Sequence, residues 1–166
     1  MPAAGIGVLD RYVPISFSRS NVVDCAVASL FEDQEFYAGW TQALPGRIRG
    51  VRSITEDDLG RSVLKAGRTT GVTRGVVSQV EIDRLRVDMG EPGSSRVASF
   101  SDQFEVQGDD GRPFSLGGDS GSVIIDEDGW ALGLLFAGGP DEAGVELTYA
   151  NLLETALSKL GVRLAL

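Results

Sequence analysis

The chain has no histidine and one cysteine, Cys25, in 166 residues. A single thiol excludes an internal disulfide framework and, without histidine, a zinc site built from four cysteine and histidine ligands. The missing imidazole also removes the side chain that most often serves as general base near neutral pH. Lysine is scarce, occurring only at Lys65 and Lys159, and no cluster of basic residues appears along the sequence. With a formal net charge of −9, nucleic acid and anionic membrane are not expected partners, because phosphate binding needs a positive footprint. There is no apolar run of the roughly 18 residues that a helical span requires. The opening "MPAAGIGVLDRYVPISF" lacks the basic start and continuous apolar stretch of a signal peptide, which leaves the compartment open. The carboxylate groups at Glu56–Asp58 and Asp126–Asp128 do not fit a calcium-loop spacing and read as solvated turns. No metal and no cofactor is expected.

What the sequence does have is a dense alternation of short apolar runs and turn residues. Apolar residues make up 42% and glycine contributes 22 positions, a balance that suits many short strands joined by tight turns. "SVLKAG" (62–67), "GVVSQVEIDRLRVDM" (75–89), "RVASFSDQFEVQ" (96–107), "GSVIIDEDGWALGLLFAGG" (121–139) and "GVELTYAN" (144–151) give about six strands, with "DEDG" (126–129) as a hairpin turn. An all-β fold follows, with enough strands to close a small barrel. Upstream, residues 5–17 contain Pro14 and suit an edge or irregular strand. "NVVDCAVASL" (21–30) is an apolar run with one aspartate, and 31–60 reads as a polar connector. In "NLLETALSKLG" the residues Leu152, Leu153, Ala156, Leu157 and Leu160 share one helical face. A short C-terminal helix is expected there, capped by Asn151 and stopped by Gly161.

The stretch "SLGGDSGSVIID" (115–126) sets Ser120 between glycines in a polar loop running into an apolar strand. Acyl transfer needs backbone N–H groups converging on a developing oxyanion, and glycine permits both the unusual backbone and the close approach. The same stretch also reads as a plain glycine-rich turn. Three further features bear on the choice: the aspartate run at 21–30, "KAGRTTGVTRGVV" (65–77), and "GGDSGSVIIDEDGWALGLLFAGG" (117–139). In this order and spacing the sequence resembles the trypsin-like, chymotrypsin-fold serine proteases, in particular the bacterial alpha-lytic-protease-like branch, over roughly residues 21–160.

The resemblance implies a double β-barrel with an incomplete first barrel, an intact six-stranded second barrel and a short C-terminal helix. It implies Ser120 as nucleophile, Asp24 as the orienting aspartate of a triad, Gly118 and Ser120 as oxyanion-hole donors, and Asp119 as a brace behind the loop. It further implies that Phe114 and Gly138 bound a specificity pocket favouring an apolar or small side chain over a basic one, and that "LLFAGG" (134–139) is the edge that receives an extended substrate. In the family the histidine lies upstream of the aspartate strand, so its absence is read as a chain beginning partway through the first barrel. Residues 1–45 would then be the remnant of that barrel with the start of the connector, and 46–166 the second barrel.

The expected partner is a peptide or protein substrate. Uncovered apolar residues such as Val22, Val27 and Leu30 imply self-association or contact with a missing N-terminal fragment. Lys65 and Lys159 read as surface residues, which leaves a serine–lysine dyad without support, and Cys25 reads as a small buried hydrophobe. Two functions remain: a serine endopeptidase, or a fragment of one, whose general base lies outside this chain, or a catalytically inactive protease-like module that binds peptide or a partner chain.

Overall fold

A computed structural model describes residues 5–90 and 93–166. Two strands, β1 (Gly7–Tyr12) and β2 (Ala26–Leu30), pair antiparallel as a separate ribbon. A two-residue strand β3 (Gly50–Val51) precedes β4 (Ser62–Gly67), β5 (Gly71–Ile82), β6 (Leu85–Asp88), β7 (Val97–Phe100), β8 (Gln103–Gly108), β9 (Val123–Asp126), β10 (Trp130–Pro140) and β11 (Glu146–Leu152), followed by the helix α1 (Leu153–Leu160). Six strands run in the order β11, β8, β5, β4, β9, β10, and a further pairing of β10 with β11 closes the ring. The strand β3 adds to β10 in parallel, and β6 with β7 forms a second small ribbon.

The ring closes because its strands present one continuous apolar face. Val63, Val77, Phe104, Val106, Phe114, Ile124, Leu132, Leu135 and Ala150 fill its interior. Alternation along each strand sends these residues inward and their neighbours out. The turn at 126–129 is closed by the Gly129 amide donating to Asp126 O.

The helix α1 buries Leu153, Ala156 and Leu160, and with Val23 and Cys25 its inner face makes a second cluster. Gly161 ends it in the left-handed conformation, with its own amide bonded to Ser158 O and that of Val162 to Leu157 O. The Arg11 side chain donates to Leu160 O at 3.0 Å and so ties β1 to the helix end. The expectation for Asn151 does not hold: the capping position is Leu152, without a side-chain cap. Asn151 instead faces the N-terminal segment. Its Oδ1 accepts the Asp24 amide and its Nδ2 donates to Asp24 O, both at 3.0 Å. This pairing leaves residues 22–25 irregular, so β2 begins only at Ala26.

Nor are the two carboxylate turns simply solvated. Asp58 and Asp126 are buried, and both are held by Arg52, which donates to Asp58 at 2.8 and 3.0 Å and to Asp126 at 3.0 Å. The Arg52 hydrogen bond, helped by the Thr55 amide and Arg61, brings the Asp58 pKa down from 3.8 to about 2. A carboxyl with a lowered folded pKa stabilises the fold above its unfolded pKa and loses that contribution as pH falls toward the folded one. Arg52→Ala is expected to cost about 3 kcal/mol at neutral pH by stranding two buried carboxylates. Urea melts should show the gap to the wild type narrowing as the pH is lowered from about 4 to about 2.

Candidate active site

The loop between β8 and β9 carries the Ser120 motif, and a buried ion pair underlies it. Lys65 follows Val63 by two residues on β4, which puts it on the inward face of the barrel. It is fully buried, its Nζ 3.3 Å from Asp119 Oδ2, over the ring of Phe114, and bonded to the Thr70 hydroxyl. Lys65 is therefore not a surface residue, and it is the partner that the Asp119 brace required. Lys159 is exposed on α1. Asp119 accepts the amides of Thr69 (2.7 Å), Leu116 (3.1 Å) and Thr70 (3.2 Å) and the Thr70 hydroxyl (2.7 Å). Burial works against its charge, yet the Thr70 hydroxyl and these amides hold the carboxyl well below the usual range. Burial likewise draws the Lys65 pKa down, opposed by the Asp119 charge.

Two glycines make this geometry possible. At Gly67 an added Cβ would lie 2.4 Å from Asp119 Oδ1, so no larger residue allows the carboxylate its position. Gly118 sits at φ +101°, and a Cβ there would lie 2.5 Å from Thr69 Oγ1 and 2.6 Å from an Arg68 guanidinium nitrogen. The turn 67–71 thus grips the loop on both sides, with Thr69 Oγ1 donating to Gly117 O at 2.9 Å.

Ser120 is exposed. Around it, the Asp119 amide is bonded to Leu116 O and the Gly121 amide to Leu135 O. No acceptor among the described residues takes the Gly118 or Ser120 amide. Ser120 lines two clefts. One, of about 600 Å³, is bounded by Leu135–Gly139 of β10, Ser115–Gly117, Val87–Gly90 and Glu146. The other, of about 350 Å³, is bounded by Asp24–Ala26, Gly121 and Leu134–Phe136. Asp24 and Ser120 thus come to one cleft from residues nearly a hundred positions apart. Beyond Leu135, β10 pairs with β11 on one side and with no described strand on the other.

The two residues expected to bound a specificity pocket lie in different places. Gly138 lines the larger cleft, whereas Phe114 is fully buried in the barrel core and its neighbour Ser115 reaches the wall. Asp88 and Glu146 also line the larger cleft. Reading outward from the serine motif identified neither; Glu146 comes from β11 and Asp88 from the β6–β7 ribbon. Cys25 is buried against α1, its thiol pKa pushed up by burial and by the Asp24 charge.

The closed six-stranded barrel and the short terminal helix are those of the chymotrypsin fold. Solved structures agree on the fold. The chymotrypsin of Cellulomonas bogoriensis is 18% identical, with a TM-score of 0.61 over 92% of this chain and 73% of that one. A glutamic-acid-specific serine protease is 22% identical at a TM-score of 0.64, over 96% and 73%. An alpha-lytic protease homologue, N4, is 24% identical at 0.56, over 94% and 71%. No curated protein matches the sequence. The chain belongs to the Nal1 C-terminal domain family, whose family model matches residues 48–164.

Asp24 is half-buried, and desolvation raises its pKa with no cation among the described residues to oppose it. A raised carboxyl pKa means that ionising the group costs stability as pH climbs above the unfolded value. Asp24→Asn, which keeps the backbone bonds to Asn151, is expected to raise Tm at neutral pH and to leave it unchanged below about pH 4. A lower Tm at neutral pH would contradict the absence of a counter-charge.

Proposed function

We propose that the chain carries the nucleophile, oxyanion-binding and substrate-cleft parts of a serine-protease site, with a general base supplied from outside these 166 residues. The observation that carries this reading is the exposed Ser120 at the junction of two clefts, beside the unengaged amides of Gly118 and Ser120. An extended peptide would add along the free edge of β10 beyond Leu135. Its carbonyl oxygen would turn toward the two amides. Attack by Ser120 Oγ forms the C–O bond of an acyl-enzyme while the proton passes to a base and then to the departing amine. Asp24 is the orienting carboxylate in this reading. On its own it is a poor base for a hydroxyl, being mismatched in pKa.

Without an imidazole, the amides and cleft alone support about 10³–10⁴-fold acceleration over water. The complete absence of histidine favours a second reading, a module that holds peptide without cleaving it. In either case Glu146 at the cleft wall favours a basic side chain over an acidic one. The exposed Ile6, Val8, Leu9 and Leu30 on the β1–β2 ribbon support the companion proposal that a second copy or an N-terminal segment covers it. Light scattering of the purified chain should show a mass above that of the monomer, and a monomer at all concentrations removes the second-copy version.

A fluorophosphonate probe separates the two main readings. Attack by Ser120 forms the Oγ–P bond and expels fluoride, the serine proton being lost to solvent. Slow labelling seen by intact mass, absent from Ser120→Ala, is expected if the serine is poised. Labelling that persists in Ser120→Ala, or none over hours, overturns the nucleophile assignment and leaves peptide binding.

A further inference from the structure

The linear sequence shows no basic cluster, but folding builds one. Three arginines, Arg19, Arg84 and Arg86, line a cleft of about 380 Å³ together with Ser18, Ser20 and Ser99. Among the described residues no carboxylate lines it. A fourth, Arg96, lies over the Phe17 ring at its rim, 3.6 Å from the centroid.

Two devices hold the arginines together. Arg86 stands directly across from Ser99 in the β6–β7 ladder, so both belong to one face. Asn21 fastens the 16–21 segment beside β7: its amide and Nδ2 both donate to Ser99 O, its Oδ1 accepts the Ser16 amide, and Ser20 Oγ meets Ser101 Oγ at 2.7 Å. Arg19 is thereby set against the ribbon that carries the other two. Arg84 takes φ +57°, in the left-handed region that a branched-out, bulky residue seldom adopts.

Four arginines elsewhere pair with carboxylates: Arg11 with Asp10, Arg52 with Asp58 and Asp126, Arg61 with Asp58, and Arg74 with Glu127. Among the described residues Arg19, Arg84, Arg86 and Arg96 have none. The nearby Asp88 is turned into its own loop, accepting the amides of Gly90 and Arg96, and Asp83 accepts the Asp102 amide. Guanidinium groups gathered without a counter-charge repel one another, and a bound polyvalent oxyanion relieves that repulsion.

We propose that this cleft binds a single phosphoryl group. Guanidinium forks match phosphate oxygens in pairs of charge-assisted hydrogen bonds, and the serine hydroxyls supply further donors. The site is one compact cleft, and the surrounding charge is negative, which suits an isolated phosphoryl group rather than a nucleic-acid backbone that needs an extended positive track. The group has two possible sources, a free phosphate ester or a phosphorylated side chain on a protein partner. The site is separate from Ser120 and stands whether or not that serine reacts.

Calorimetric titration of the whole chain tests it, using pyrophosphate and a phosphoserine peptide with its unphosphorylated counterpart. The comparison protein is Arg84→Gln/Arg86→Gln, its fold checked by circular dichroism, with Arg19→Gln as a second variant outside the strand ribbon. One-site binding to the wild type, weakened about tenfold or more in each variant, is expected from the loss of charged hydrogen bonds. Phosphopeptide binding tighter than pyrophosphate assigns a protein-borne source, and the reverse order a small phosphate ester. No saturation at millimolar pyrophosphate or peptide overturns the proposal. So does affinity equal in wild type and both variants, or a short oligonucleotide that binds more tightly than either ligand with a steep salt dependence.

Discussion

One buried ion pair organises this molecule. Lys65 and Asp119 are both fully enclosed, and two ions out of water are tolerated only when every remaining donor and acceptor finds a partner. The requirement dictates much of what surrounds them. Thr70 must relay between the two charges, the amides of Leu116, Thr69 and Thr70 must point at the carboxylate, and residue 67 must lack a side chain. Once those demands are met, the loop before Ser120 has little freedom left. The backbone that presents the hydroxyl and leaves the amides of Gly118 and Ser120 unengaged follows from burying a charge one residue away.

A second set of constraints joins distant parts of the chain. Arg52 binds the connector to the hairpin after β9, Asn151 binds the backbone of Asp24 to the last strand, and α1 buries Val23 and Cys25. Each uses polar or apolar groups at the seam rather than continuous sheet. The segment carrying Asp24 is therefore attached to the barrel through backbone bonds and the buried Val23 and Cys25, and among the described residues the Asp24 carboxylate has no counter-charge.

The barrel was legible in the sequence because turns punctuate it. "SVLKAG" (62–67) is β4 residue for residue, and Gly161 stops the helix where the spacing placed it. What escaped was the polar interior. Lys65 looks like a surface residue by type, although the period of two from Val63 points it inward. Asp58 and Asp126 look like turn residues because Arg52, which buries them, stands elsewhere in the sequence. Asn151 offers a cap in a one-dimensional reading and serves as a clamp in three dimensions. The arginine cleft is drawn from residues 17–20, 84–86 and 96–99 and has no linear trace. Polar groups that satisfy one another across long separations leave no periodic signature, whereas apolar strands do.

The separation of Lys65 and Asp119 along the chain bears on how the molecule assembles. During folding the β4–β5 hairpin is a local structure, yet its inward lysine resists burial until a carboxylate fifty-odd residues later arrives. Closing the ring through β11, which pairs with both β8 and β10, also joins remote segments, and such non-local pairings form slowly. An early hairpin therefore keeps its charged side chain in water and its apolar face uncovered. Desolvation of Lys65 becomes a late, all-or-none event that coincides with the seating of the Ser120 loop. The Ser120 hydroxyl is not presented on a half-built barrel, and partly folded chains are the species most exposed to aggregation.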